Sequence, residues 1–293
     1  MFIATLIASE TLSAGDLSAA VDRLAAAGCA PATSAWIEPD AAADILFGVA
    51  SDAARTALEG VFPGVDVIVQ QAAGREKRLL VADMDSTMIT VECIDELADY
   101  AGIKPQIAAI TEAAMRGELD FEAALDARVA LLAGVDEGVI ERCLAERVHL
   151  MAGAVALVRT MRARGATAIL VSGGFTRFAE QVAAQIGFHR AIANRLELRD
   201  GVLTGTVTKP IVGSDTKLQT LLAASAELGL LPEQTLAVGD GANDLAMVRA
   251  AGLGVAYHAK PIVAAAAAAR VDHGDLTALL YAQGIARSEW VMN

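Results

Sequence analysis

The apolar and polar positions of this chain fall into two regimes. Residues 2–8 (Phe2-Ile3-Ala4-Thr5-Leu6-Ile7-Ala8) form an apolar run of strand length, and residues 14–27 place Leu17, Ala20, Val21 and Leu24 at helical spacing. Two more strands are predicted at 33–37 and 45–49, a helix at 52–59 and a strand at 65–70. The order strand, helix, strand, strand, helix, strand is the split-βαβ, ferredoxin-like pattern. Ala72-Ala73-Gly74-Arg75-Glu76-Lys77-Arg78 is a polar, charged connector. Residues 1–74 are therefore expected to form a small α+β domain and residues 75–293 a second, larger one.

The second regime opens with a strand at 78–83. From about 91 to 150 the pattern is helical throughout, with helices predicted at 91–101, 104–115, 120–133 and 136–146. A helical block between two strands of an alternating region is expected to be an inserted cap. Alternation then resumes with a helix at 154–164 stopped by Gly165, a strand at 166–171 and a helix at 175–186. Residues 191–208 alternate about Arg199-Asp200-Gly201, a hairpin signal. Ser214 is the expected N-cap of a helix reaching Leu228. A strand at 235–238, a helix at 244–251, a strand at 254–256 and helices at 261–270 and 275–281 follow. Single strands separated by helices predict an α/β domain, a Rossmann-like parallel sheet.

Composition narrows the function classes. Of 293 residues, 55% are apolar but only 4% aromatic, so the core is built from Ala, Val, Leu and Ile. The net charge of −13 disfavours nucleic acid and anionic membranes as partners, leaving a small-molecule substrate. Three unclustered cysteines, Cys29, Cys93 and Cys143, argue for reduced thiols rather than a disulfide framework or a zinc site. With no convincing signal peptide and no uncharged run long enough to span a bilayer, the expected location is cytoplasmic.

Three predicted strands end in polar groups. One closes on Asp83-Met84-Asp85-Ser86-Thr87, one on Ser172-Gly173-Gly174 and one on Gly239-Asp240-Gly241-Ala242-Asn243-Asp244. In a parallel sheet these carboxyl ends share one rim, where ligands bind. Asp83, Asp85 and Asp240 together suit a hard divalent cation, although an isolated DxD is more often a turn or helix start with solvated acids. The Ser172 hydroxyl and the backbone N–H groups beside it suit an anion. Lys217, near a helix start, offers a point charge for phosphate, Asn243 a donor and Asp244 a buttress. His149, His189, His258 and His273 show no ligand spacing.

These residues, in this order, resemble the four motifs of the haloacid-dehalogenase (HAD)-type phosphohydrolase superfamily. Within it, the closer resemblance is to the phosphoserine phosphatase family. It is carried by Val91-Glu92-Cys93-Ile94-Asp95-Glu96, by Thr111-Glu112-Ala113-Ala114-Met115-Arg116-Gly117-Glu118-Leu119-Asp120-Phe121, by Arg128-Val129 and by Ser172-Gly173-Gly174-Phe175-Thr176. The family often has Pro-Gly where this chain has Ala152-Gly153. The resemblance implies Mg²⁺-dependent hydrolysis of O-phospho-L-serine, the last step of serine synthesis. It implies Asp83 as nucleophile, giving an aspartyl-phosphate, and Asp85 as acid and then base. Mg²⁺ would sit on the Asp83 carboxylate, the Asp85 backbone carbonyl and Asp240, with Asp244 in support. Ser172, Gly173, Lys217 and Asn243 would bind the phosphoryl oxygens. In the cap, Glu92 would face the substrate ammonium and Arg128 its carboxylate, while Met115 and Phe121 would exclude water. Residues 1–74 resemble the ACT-type regulatory domain in element order only. A structural or dimerising role is equally expected, which makes a homodimer one expected assembly.

Overall fold

The computed structural model describes residues 1–49, 51–115 and 118–292; the Met115 side chain also lies outside the described residues. The chain begins with β1 (Phe2–Ala8), α1 (Ala14–Ala26), β2 (Pro31–Glu38), β3 (Ala42–Phe47), α2 (Ser51–Leu58) and β4 (Val65–Gln71). The four strands form an antiparallel sheet in the order β2-β3-β1-β4. The start of α1 is a capping box: Asp16 N–H donates to Ser13 Oγ and Ser13 N–H to Asp16 Oδ2. Leu6, Ile45, Phe47 and Val67 bury one face of the sheet against Leu17, Leu24 and Leu58 of the helices.

β5 (Leu79–Ala82) starts the second sheet. Between it and the next strand lie α3 (Cys93–Tyr100), α4 (Lys104–Met115), α5 (Phe121–Ala130), α6 (Gly138–Glu146) and α7 (Ala154–Ala163). Then come β6 (Thr167–Phe175), α8 (Thr176–Ile186), β7 (Arg190–Asn194) and a separate hairpin of β8 (Leu196–Arg199) and β9 (Val202–Val207). Asp200 and Gly201, at φ of 52° and 80°, form its turn. The chain closes with α9 (Ser214–Glu227), β10 (Thr235–Gly239), α10 (Leu245–Ala250), β11 (Leu253–Tyr257), α11 (Pro261–Ala266), β12 (Ala269–Val271) and α12 (Ala278–Ala282).

The second sheet is wholly parallel, ordered β12-β11-β10-β5-β6-β7. β5 is central and fully buried, as a strand covered on both faces must be. Leu80 and Ala82 point to the α7, α8 and α12 side, Leu79 and Val81 to the α9 and α10 side.

The two sheets pack against each other. Ile7, Ala42 and Ile68 leave the helix-covered side of the first sheet and join the core of the second. Around them, Arg75 grips Asp44 with both terminal nitrogens at 2.6 and 2.7 Å and donates to Ala282 O at 2.9 Å. Asp66, almost wholly buried, accepts backbone N–H groups from Asp272 and Gly274 at 2.8 and 2.7 Å. No helix among the described residues is long and apolar enough to cross a membrane.

Several elements differ from the sequence expectation. The helix expected over 261–270 stops at Ala266, and Ala269–Val271 pairs with β11 instead. Alanine's helix preference is small beside the rungs an open sheet edge offers. Ser214 is the first helical residue of α9 and Gly213 the N-cap, with no side chain capping it. The strand expected at 45–49 lies at Ala42–Phe47. The strand expected at 166–171 runs on to Phe175, so Ser172-Gly173-Gly174 lies within β6 rather than after it.

Candidate active site

Because β5 lies between β10 and β6, the three polar strand ends are neighbours. Asp83 follows β5 directly, and its N–H donates to Val238 O at 3.0 Å, which extends the β5–β10 pairing and fixes the carboxylate at the rim. Lys217, fully buried on α9, donates to Asp83 Oδ1 and Asp244 Oδ1, both at 2.7 Å. Asp244 Oδ2 accepts the Gly241 N–H at 3.0 Å. Position 239 must be glycine, since a Cβ there would stand 2.3 Å from Asp244 Cγ.

Carboxylate oxygens of Asp83, Asp240 and Asp244 lie within 4.8 Å of one another. Asp83 and Asp244 share the one Lys217 ammonium, and Asp240 stands beside them without an ion pair of its own among the described residues, which leaves an excess of negative charge at the rim. Burial, then the charge of Asp244, holds the Asp83 carboxyl well above the usual range despite Lys217. Burial, with Asp244 and Glu92, pushes Asp240 up to about 6. Burial opposes charge on Lys217, yet Asp83 and Asp244 hold its pKa above that of a free lysine. An all-oxygen donor set with excess negative charge fits a hard divalent cation.

Asp85 faces away from this cluster. Its Oδ1 accepts the Cys93 N–H at 3.0 Å and its Oδ2 the Ser172 hydroxyl at 3.3 Å. Burial and the charge of Glu92 raise it to about 6, against the Cys93 N–H. Ser86, at φ 55°, turns the chain from the rim toward the cap and donates to Glu92 Oε1 at 2.7 Å. Two carboxylates two residues apart are thus held in different surroundings.

Ser172 is fully buried and accepts the Gly174 N–H at 2.8 Å. A Cβ on Gly174 would lie 2.7 Å from Asp85 Oδ2. One on Gly173 would lie 3.1 Å from Phe121 Cζ and 3.7 Å from Asn243 Nδ2. Phe121 opens α5, where Asp120 Oδ1 caps the Ala123 N–H at 2.8 Å, and its ring also lies against Gly213. The cap therefore rests on the rim through Phe121. Arg128, two turns further along α5, is half-buried; burial lowers its pKa, with the charges of Asp95 and Glu92 opposing. The structure so gathers Asp83, Asp85, Ser172, Gly173, Lys217, Asp240, Asn243, Asp244 and Phe121, with Glu92 and Arg128 on the cap in electrostatic reach of each other.

Two residues at the rim have contacts that the sequence does not assign. Thr87 Oγ1 donates to Asp240 Oδ1 at 3.4 Å. Asn194, at the end of β7, bonds backbone atoms of β6 and of the segment before α9. Thr87 closes the Asp83–Thr87 stretch but carries no assigned role there, and Asn194 lies in no motif. Two histidines serve the scaffold: His258 meets Gly274 O at 2.9 Å, and His189 Nδ1 accepts the Ala168 N–H at 3.1 Å.

Residues 80–249 match the family model of haloacid dehalogenase-like hydrolases, and the chain belongs to that family. A phosphoserine phosphatase of Streptomyces coelicolor is 48% identical over 247 residues, which cover 83% of this chain and 60% of that protein. The chain spans between 55% and 64% of the length of this relative and of the phosphoserine phosphatases of Mycobacterium tuberculosis and Haemophilus influenzae. Two crystal structures resemble nearly the whole chain. A HAD family hydrolase from Salmonella enterica gives a TM-score of 0.83 at 28% identity, covering 96% of this chain and 98% of that one. A probable phosphoserine phosphatase from Vibrio cholerae gives 0.76 at 33% identity, covering 98% and 87%.

Proposed function

We propose that this chain is a Mg²⁺-dependent phosphatase that hydrolyses O-phospho-L-serine to L-serine and phosphate through an aspartyl-phosphate on Asp83. The observation that carries this reading is the divergence of the two rim acids. Asp83 lies with Lys217 and the acidic cluster, whereas Asp85 is turned toward Ser172, where a leaving oxygen would emerge. The phosphoserine phosphatases among the relatives support the substrate.

In this mechanism an Asp83 carboxylate oxygen attacks phosphorus in line. Asp85, protonated up to about pH 6 in the free site, gives its proton to the departing serine oxygen. It then takes a proton from the water that attacks the aspartyl-phosphate. The Ser172 hydroxyl, the Gly173 N–H, Asn243 Nδ2 and Lys217 Nζ hold the phosphoryl oxygens. Mg²⁺ would be held by the Asp83 carboxylate, the Asp85 backbone carbonyl and Asp240, with Asp244 in support, and would neutralise charge on the transferring group.

In the cap, Glu92 receives the substrate ammonium and Arg128 its carboxylate. Phe121 closes the site to water. Residues 1–74 are a docked structural unit in this reading and residues 75–293 the phosphatase domain, with the cap at about 91–150. The buried thiols of Cys93 and Cys143 suit a cytoplasmic setting.

The test is phosphate release from a panel of phosphoesters by the purified chain. Phosphoserine should be turned over fastest, and EDTA should stop the reaction until Mg²⁺ is restored. No release from phosphoserine with Mg²⁺ present overturns the proposal.

A further inference from the structure

Building on the phosphatase reading of this rim, we infer that Asn194 is a positioning residue that sets the Ser172 hydroxyl and the approach to α9 for phosphoryl binding. The reason begins with a gap in the sheet. β6 and β7 pair in register as far as Val171 and Ile192, then resume at Phe175 and Asn194. Ser172, Gly173 and Gly174 fall in the irregular stretch, where β7 offers their backbone no regular rung. The Asn194 side chain takes that place: its Nδ2 donates to Gly173 O at 2.9 Å.

Fixing Gly173 O fixes the plane of the Gly173–Gly174 peptide, and so the Gly174 N–H on its other side. That N–H donates to Ser172 Oγ at 2.8 Å, which leaves the hydroxyl proton to reach Asp85 Oδ2 at 3.3 Å. Asn194 thus acts on Ser172 through one peptide.

The same amide holds the other side of the phosphoryl site. Asn194 Oδ1 accepts the Val212 N–H at 2.7 Å, and Nδ2 donates to Val212 O at 3.2 Å. Val212 is two residues before α9, whose first turn carries Lys217. Three backbone atoms need two donors and an acceptor from one short side chain, a set that asparagine supplies and aspartate and serine do not. Asn194 is 1% exposed, so an unmade bond there has no water to replace it. Phe121 lies against Gly173 and Gly213 from the cap, so these two backbone segments are covered from one side and tied from the other.

The test uses Asn194→Ala, Asn194→Ser and Asn194→Asp in the full chain, under conditions where urea titration shows each variant folded. kcat on phosphoserine should fall on the order of 10–100-fold in the alanine and aspartate variants, as for a reacting group displaced by a fraction of an ångström. Inhibition by orthophosphate should weaken several-fold, and inhibition by L-serine, which engages the cap, should stay within about twofold. Serine should lie between alanine and wild type, because its hydroxyl can remake one bond. Folded variants with unchanged kcat and unchanged orthophosphate inhibition overturn the inference. So does equal weakening of phosphate and serine inhibition, the mark of a merely loosened fold.

Orthophosphate binding by calorimetry in Mg²⁺ reads the same segments without any turnover. If wild type proves inactive on phosphoserine, the substrate reading fails. Weaker phosphate binding in the variants still upholds the role of Asn194, and unchanged binding refutes it.

Discussion

At the scale of single residues, the site is a matter of one ammonium among several buried acids. Lys217 is shared by Asp83 and Asp244, so removing it strands two carboxylates in a dry pocket. Lys217→Met should cost about 3–5 kcal/mol in urea denaturation with EDTA present, the range for breaking a buried ion pair. Asp83→Asn should abolish turnover without lowering metal-free stability, because it removes charge from an over-acidic cluster. Retained activity would sink the nucleophile assignment. The pH dependence has a definite sign. Asp85 and Asp240 titrate near 6 in the folded chain, against 3.8 for an ordinary aspartate such as the unfolded chain presents. The folded state thus binds more protons between these limits, and the contribution of both groups to stability is lost as pH rises through about 6. Melting curves of the metal-free chain from pH 4 to 7 should show this loss, and Asp85→Asn and Asp240→Asn should each reduce it. A loss that is unchanged in both variants would contradict the assignment.

At the scale of elements, the cap and the core meet at the rim through α5. Phe121 touches the core loops, while Arg128 stands back beside Glu92 and Asp95. Arg128→Ala should raise KM for phosphoserine at least about tenfold, since a charge-assisted hydrogen bond contributes on the order of 1.5–3 kcal/mol. Turnover of p-nitrophenyl phosphate, which has no carboxylate to bind, should change little. Equal losses on both substrates would place Arg128 outside amino-acid recognition. The element scale is also where local preference was least reliable. The alanines near 264–269 favour helix, yet Ala269–Val271 became a strand because β11 presented an unpaired edge. A pattern of side chains carries no record of which edge lies nearby.

At the scale of the whole molecule, the first sheet is seated on the second by charge as much as by apolar contact. Arg75 binds Asp44 and the end of α12, and Asp66 gathers backbone N–H groups from the segment after β12. The face of the first sheet bearing Thr5, Asp44 and Gln70 is occupied by these contacts. Arg75→Ala should leave Asp44 buried without its partner and lower stability by about 3–5 kcal/mol. Calorimetry should show one sharp transition in the wild type and a broadened or split one in the variant. An unchanged single transition would mean that the apolar contacts of Ile7, Ala42 and Ile68 suffice.

The amino-acid sequence by itself determined the periodicities, and with them the α/β class, the helical insertion and the three polar strand ends. Those features are local: a 2-residue or 3.6-residue repeat, a glycine stop and a carboxylate after an apolar run are all written in consecutive residues. Strand order, by contrast, was decided by the tertiary structure alone. It brings Asp83, Ser172 and Asp240 together, parts Asp85 from Asp83 and sends Asn194 to β6 and to the segment before α9, which flank it on either side in sequence. Those outcomes depend on long-range pairing and on which buried polar atoms lack a partner, and such vacancies exist only once the chain has closed on itself.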